Sequence, residues 1–204
     1  MSKSSPTVEQ KKRAPLMTAI IVIVAAIAIV GGGLKMFSGT QKITSSSSDP
    51  KVDLLLKESD AALDEANKQN QIAVPAFQQL LSDFDQLGVE GFRKEKRELS
   101  ENLVVQFAKT AEQFQTAANK LDTAALLSAD KKLNAFLVIK SKSYGLLGKV
   151  CDQDVEMIRV LLDDSLTDGA AITGKVLELA ASRDATQKAA DDATTEADAV
   201  MKGA

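Results

Sequence analysis

Apolar residues recur at steps of three and four along most of this chain, the spacing of one face of an α-helix. A first run holds Val52, Leu55, Leu56, Ser59, Leu63 and Ala66 and resumes as Val74, Phe77, Leu80, Leu81, Phe84 and Leu87. A second holds Leu99, Leu103, Phe107, Thr110, Phe114, Ala117 and Leu121. A third runs Leu133, Leu137, Lys140, Tyr144, Leu147, Cys151, Val155, Ile158 and Leu162. The fourth, Ile172, Val176, Leu179, Arg183, Thr186, Ala190, Ala193, Ala197 and Val200, keeps heptad spacing but is mostly alanine after Leu179. These runs predict helices over 51–87, 92–121, 129–164 and 168–201. Comparable lengths and short connections predict an all-α fold, a long antiparallel up-down-up-down four-helix bundle.

Local signals place the helix ends. Asp49 and Pro50 read as N-cap and first helical residue. Pro75 removes the hydrogen bond to the carbonyl of Gln71, so the first helix is expected to be kinked or broken near Pro75. Gly88 suits the C′ position of a helix end. "LDTAALLSAD" interrupts the second pattern, with Ser128 as a cap for the next helix, and Thr167 or Asp168 caps the last.

Ahead of the periodic part the pattern changes. Leu16–Leu34 carries no charge, and Thr18 is its only polar side chain. About 19 residues give about 28 Å of helix, enough to span a bilayer and longer than the apolar region of a cleaved signal. Gly31 and Gly33 have the spacing of a signal-peptidase site, but length and flanks favour an anchor that stays. Lys11, Lys12 and Arg13 precede the run, which places the N-terminus in the cytoplasm and the later residues outside. Four divisions follow: a basic cytoplasmic tail (1–15), a single transmembrane signal-anchor (16–37), a flexible serine-rich linker (38–50) and the helical domain (51–204). In a bacterium that domain would lie in the periplasm or at the cell surface. Ala28 and Gly32 form a small-xxx-small pair through which two anchors could approach as a homodimer.

Charge and composition narrow the chemistry. From Ile43 onward there are 27 acidic and 19 basic side chains, a net charge of −8. A folded part of that sign does not suit nucleic acid. There is no histidine, so no serine–histidine or cysteine–histidine pair and no Glu-x-x-His metal pair can be built. Neither glycine-rich phosphate loop occurs. No catalytic residue, cofactor or metal is assigned. In "CDQDVEM", Asp152, Asp154 and Glu156 point different ways from a helix and read as a solvated face. "DDSLTDG" lacks a calcium loop's third-position ligand and has Lys175 where the bidentate glutamate belongs, so it reads as a turn. The single cysteine, Cys151, falls on the apolar stripe as a core residue.

Two places could carry binding. Gly145 and Gly148 either allow a close helix crossing or line a small cavity. Tyr144, Lys140 and Arg183, polar on an apolar stripe, would supply its contacts. The second place is the bundle tip. There Arg93, Lys94, Lys96 and Arg97 open one helix while Asp163 and Asp164 close another, each cluster of the wrong sign for its own helix dipole. The clusters either compensate each other, stay separately solvated, or form a charged docking patch.

The expectation is a non-enzymatic, membrane-anchored extracytoplasmic helical bundle, a structural or protein-interaction module of the cell envelope. The alternative is a solute-sensing or ligand-binding bundle that signals through a partner. In architecture alone, one span followed by long helices, the chain resembles the external sensing domains of chemoreceptors. It departs from them in lacking a second span and a cytoplasmic signalling region.

Overall fold

The computed structural model describes residues 49–203. The basic tail, the apolar run Leu16–Leu34 and the linker up to Ser48 lie outside the described residues. Among the described residues the fold is all-α, with three helices and no strand: α1 (Pro50–Leu127), α2 (Lys131–Leu162) and α3 (Gly169–Lys202). No helix among them is long and apolar enough to cross a membrane.

Helix α1 begins as the sequence implies. The Asp49 carboxylate accepts a hydrogen bond from the Lys51 N–H at 2.8 Å, and Pro50 occupies the first turn. The helix is not broken at Pro75. Gln71, whose carbonyl loses its partner there, is exposed and so open to water, while Val74 and Phe77 are buried and hold the helix by packing. The break falls instead at Gly88, which has φ 68° and ψ 178°. A side chain is disfavoured at that φ, so glycine is the residue the turn needs.

At Gly88, α1 folds back on itself. Its first limb (50–87) and second limb (89–127) lie antiparallel. The Ser59 hydroxyl donates to the Ala117 carbonyl at 3.0 Å, Lys120 pairs with Glu58, and Lys96 pairs with Asp83 at 2.9 Å. Aromatic rings fill the space between the limbs. Phe77 meets Phe107 edge to face at 5.7 Å, and Phe84 meets Phe92 likewise at 5.2 Å near the turn.

The second limb departs from expectation at both ends. It starts directly after Gly88 rather than at residue 92, and it continues through "LDTAALL" to Leu127 because Leu121, Ala124 and Ala125 extend the buried face. Ser128 therefore ends α1, and Asp130 caps α2, accepting from the Lys132 and Leu133 N–H groups at 2.8 and 3.1 Å. Asp168 caps α3 by accepting from the Ala170 N–H at 3.0 Å. Within the second limb Leu99 is exposed and Ser100 is buried, so the buried stripe enters one residue later than the apolar pattern implies.

Helix α2 packs on both limbs of α1 and on α3, whereas α1 and α3 approach each other closely at few points. The core is continuous through Phe77, Phe107, Phe114, Leu137, Ile158 and Val176.

Candidate functional site

The polar stripe residues separate into two layers along α2. Nearer its N-terminus, Lys140 and Tyr144 are both buried. The Lys140 ammonium stands 5.9 Å from the Tyr144 ring centroid and 3.9 Å from an Asp198 carboxylate oxygen, a cation over an aromatic face with one distant counter-charge. Burial lowers the Lys140 pKa, and Asp198 only partly opposes it. Burial raises that of the Tyr144 hydroxyl, with the charges of Asp60 and Asp198 adding to the effect. Beside this pair the Ser143 hydroxyl bonds the Ala190 carbonyl at 2.9 Å and the Thr194 hydroxyl at 2.8 Å, tying α2 to α3.

The Lys140 shift has a measurable consequence. With a folded-state pKa below the ordinary 10.5, the unfolded chain binds more protons between the two values, so this group makes stability rise with pH across that window. Replacing Lys140 with methionine should remove that rise. Denaturant titrations of both proteins from neutral pH to the unfolded lysine value test this, and an identical rise in the variant would contradict it.

The second layer lies ten residues farther along α2, about 15 Å away at 1.5 Å per residue. There Arg183 of α3 holds Asp154 of α2 in a forked pair, Nε to Oδ1 at 2.5 Å and Nη2 to Oδ2 at 3.3 Å. Arg183 is 4% exposed and Asp154 2%. The structure therefore does not bring Arg183 to Tyr144 and Lys140, as a shared site would need. It also corrects the reading of "CDQDVEM": Asp152 and Glu156 are exposed, but Asp154 is core. Burial pushes the Asp154 carboxyl up, against the pull of Arg183. The remaining Arg183 nitrogen, Nη1, makes no hydrogen bond and stands 3.9 Å from Asp184 Oδ1. Cys151, one turn before Asp154, has its thiol pushed up chiefly by burial and further by Asp154, which disfavours the nucleophilic thiolate. Its sulfur lies 4.0 Å from Asn70 Oδ1 on α1. With both carboxylate oxygens bonded and both side chains buried, this layer can fix the register of α2 against α3.

The two glycines differ. A Cβ on Gly148 would lie 3.4 Å from the Ala111 carbonyl and 3.7 Å from Phe114 Cβ, so Gly148 marks a close approach of α2 to the second limb of α1. A Cβ on Gly145 would meet nothing within 4 Å.

At the tip, the two charge clusters do meet. Arg93 Nε donates to the Leu161 carbonyl at 3.0 Å, and its Nη2 donates to the carbonyls of Asp163 and Leu166 at 2.7 and 2.8 Å. A cation disfavoured at the start of its own limb thus serves the C-terminus of α2, where carbonyls lack helical partners. Arg97 pairs with Asp164 at 2.7 Å, and Lys96 turns to Asp83. The Asp163 carboxylate accepts from the Ser165 hydroxyl and N–H, which holds its pKa below the usual range. Lys94 is exposed.

No protein-family model matches the chain, and no curated protein or solved structure matches it either.

Proposed function

We propose that the protein is a single-pass, membrane-anchored structural or protein-interaction module of the cell envelope, with an extracytoplasmic helical domain shaped as an up-down-up-down four-helix bundle. The observation that carries the reading is the uncharged Leu16–Leu34 run behind Lys11, Lys12 and Arg13. The anchor, residues 16–37, contacts the bilayer, and the N-terminus is cytoplasmic. The two limbs of α1 supply the first two members of the bundle, with α2 and α3 as the third and fourth. The close crossing at Gly148 favours an interaction module over a ligand chamber, because backbone and phenylalanine fill the space that a chamber there would need. The separation of Arg183 from Lys140 and Tyr144 weighs the same way. The protein is read as no enzyme: the polar residues of its core are paired or enclosed, and the chain has no histidine.

Crosslinking in intact membranes tests this proposal. An envelope protein, or a second copy of the chain, should be captured through the helical domain. Capture of cytoplasmic proteins through that domain would overturn the proposed topology.

A further inference from the structure

One end of the helical body carries an exposed apolar feature that its fold does not use. Leu126 is 86% exposed and Leu127 46%, side by side at the end of α1. Lys131 and Lys132 follow across the turn, both exposed, in a first turn of α2 that has no acidic side chain. A helix N-terminus disfavours cations, so the fold of α2 does not explain Lys131, whereas Lys132 stands by the C-terminus of α3, where a cation is favoured. Lys132 Nζ would lie 3.5 Å from a Cβ on Gly203, which places the α3 terminus at this end as well. The pairings of Glu58 with Lys120 and Ser59 with Ala117 put Asp49 there too, since both limbs run equally far beyond them. Chain leading to the apolar run therefore enters the helical body beside Leu126. Residues 38–48 separate the proposed anchor from Asp49, and a chain of that length reaches at most about 40 Å.

We propose that the α1–α2 turn is a membrane-surface contact, with Leu126 and Leu127 entering the headgroup boundary and Lys131 and Lys132 meeting anionic headgroups. This rests on the anchored reading above. Apolar side chains flanked by lysines form the combination that an interfacial contact uses. Of the acids at this end, Asp130 and Asp49 accept hydrogen bonds from the first N–H groups of α2 and α1, and Asp122, one turn before Leu126, is exposed. Two leucines offer far less than the roughly 800 Å² per partner of a stable protein interface, so a bilayer is the better occupant than a second copy. The contact would hold this end of the helical body at the bilayer surface.

The full chain, labelled with bimane at Ala129→Cys, tests this in phosphatidylcholine vesicles with brominated acyl chains, with and without phosphatidylglycerol. Ala129 is exposed and the native Cys151 is buried, so the label reports the turn alone. Quenching should be strong and should deepen with phosphatidylglycerol. Leu126→Glu with Leu127→Glu should lower the ratio of contacting to free label roughly tenfold. Lys131→Glu with Lys132→Glu should abolish the phosphatidylglycerol effect. Quenching unchanged by the leucine substitutions would overturn the proposal, because linker tethering alone would then account for it. A chain that resists alkaline extraction but carries an unquenched label would overturn it while sparing the anchor. Release on alkaline extraction would overturn the anchor reading, and this inference with it.

Discussion

Replacing Asp154 with alanine should destabilise the helical domain by about 3–5 kcal/mol, because the Arg183 guanidinium is left buried without its counter-charge. For a domain of this size that is a fall in melting temperature of about 10 °C. The reverse change, Arg183→Ala, leaves a carboxylate in the same position. It should be less costly in acid, since burial already pushes the Asp154 carboxyl up and a lone carboxyl there can take up a proton. Replacing both residues with apolar side chains, Asp154→Leu with Arg183→Met, should recover most of the loss. Thermal and denaturant unfolding of the three variants decides the matter. A double variant as unstable as Asp154→Ala would mean that the pair contributes more than mutual neutralisation. An unaffected Asp154→Ala would place that residue outside the core.

The second large effect belongs to the aromatic seam within α1. Phe107 is fully buried and packs edge to face on Phe77, and Phe114 is buried two helical turns farther on. Substitution of either Phe107 or Phe114 by alanine should cost about 3–5 kcal/mol, combining lost transfer energy with the cavity left behind. Leu99→Ala, at an exposed position on the same limb, should stay within about 0.5 kcal/mol of the parent. Equal stability of Phe107→Ala, Phe114→Ala and the parent would show that the limbs are not held together along this seam.

Much of this fold is legible in the periodicity. Phe77, Leu103, Phe107, Leu137 and Ile158 sit where a 3.6-residue repeat places them, and all are buried. Asp49, Pro50 and Gly88 act as punctuation because each has a backbone requirement that few other residues meet. The ends of the second limb were harder to read. Ala124 and Ala125 continue the buried face, but alanine suits a face and a loop almost equally, so the pattern fades before the helix does. Pro75 carries a strong local signal that tertiary packing on Val74 and Phe77 overrides.

Of the buried Arg183–Asp154 pair, one member is legible in the sequence. Arg183 stands out because it occupies an apolar stripe. Its partner is disguised by Asp152 and Glu156 on either side of Asp154, which give the segment the look of a solvated face. Yet Asp154 lies three residues after Cys151 and four before Ile158, which puts it on the buried face. A buried cation requires a buried anion on a neighbouring helix, and that requirement could have located it. At the tip, charge and helix polarity leave the pairing of Arg93 with the end of α2 as one of three readings, beside separate solvation and a docking patch. The sequence alone could not show that the acceptors are the carbonyls of Leu161, Asp163 and Leu166 rather than a carboxylate.

The anchored topology is the claim on which the functional reading turns, and cysteine accessibility tests it most directly. Single cysteines at Ser4 and Ala129 would be exposed to a membrane-impermeant maleimide in cells stripped of any outer barrier, with Cys151 silent because it is buried. The account predicts that Ala129→Cys is labelled at once and Ser4→Cys only after lysis. Labelling of both only after lysis, or of Ser4→Cys alone before it, would contradict it.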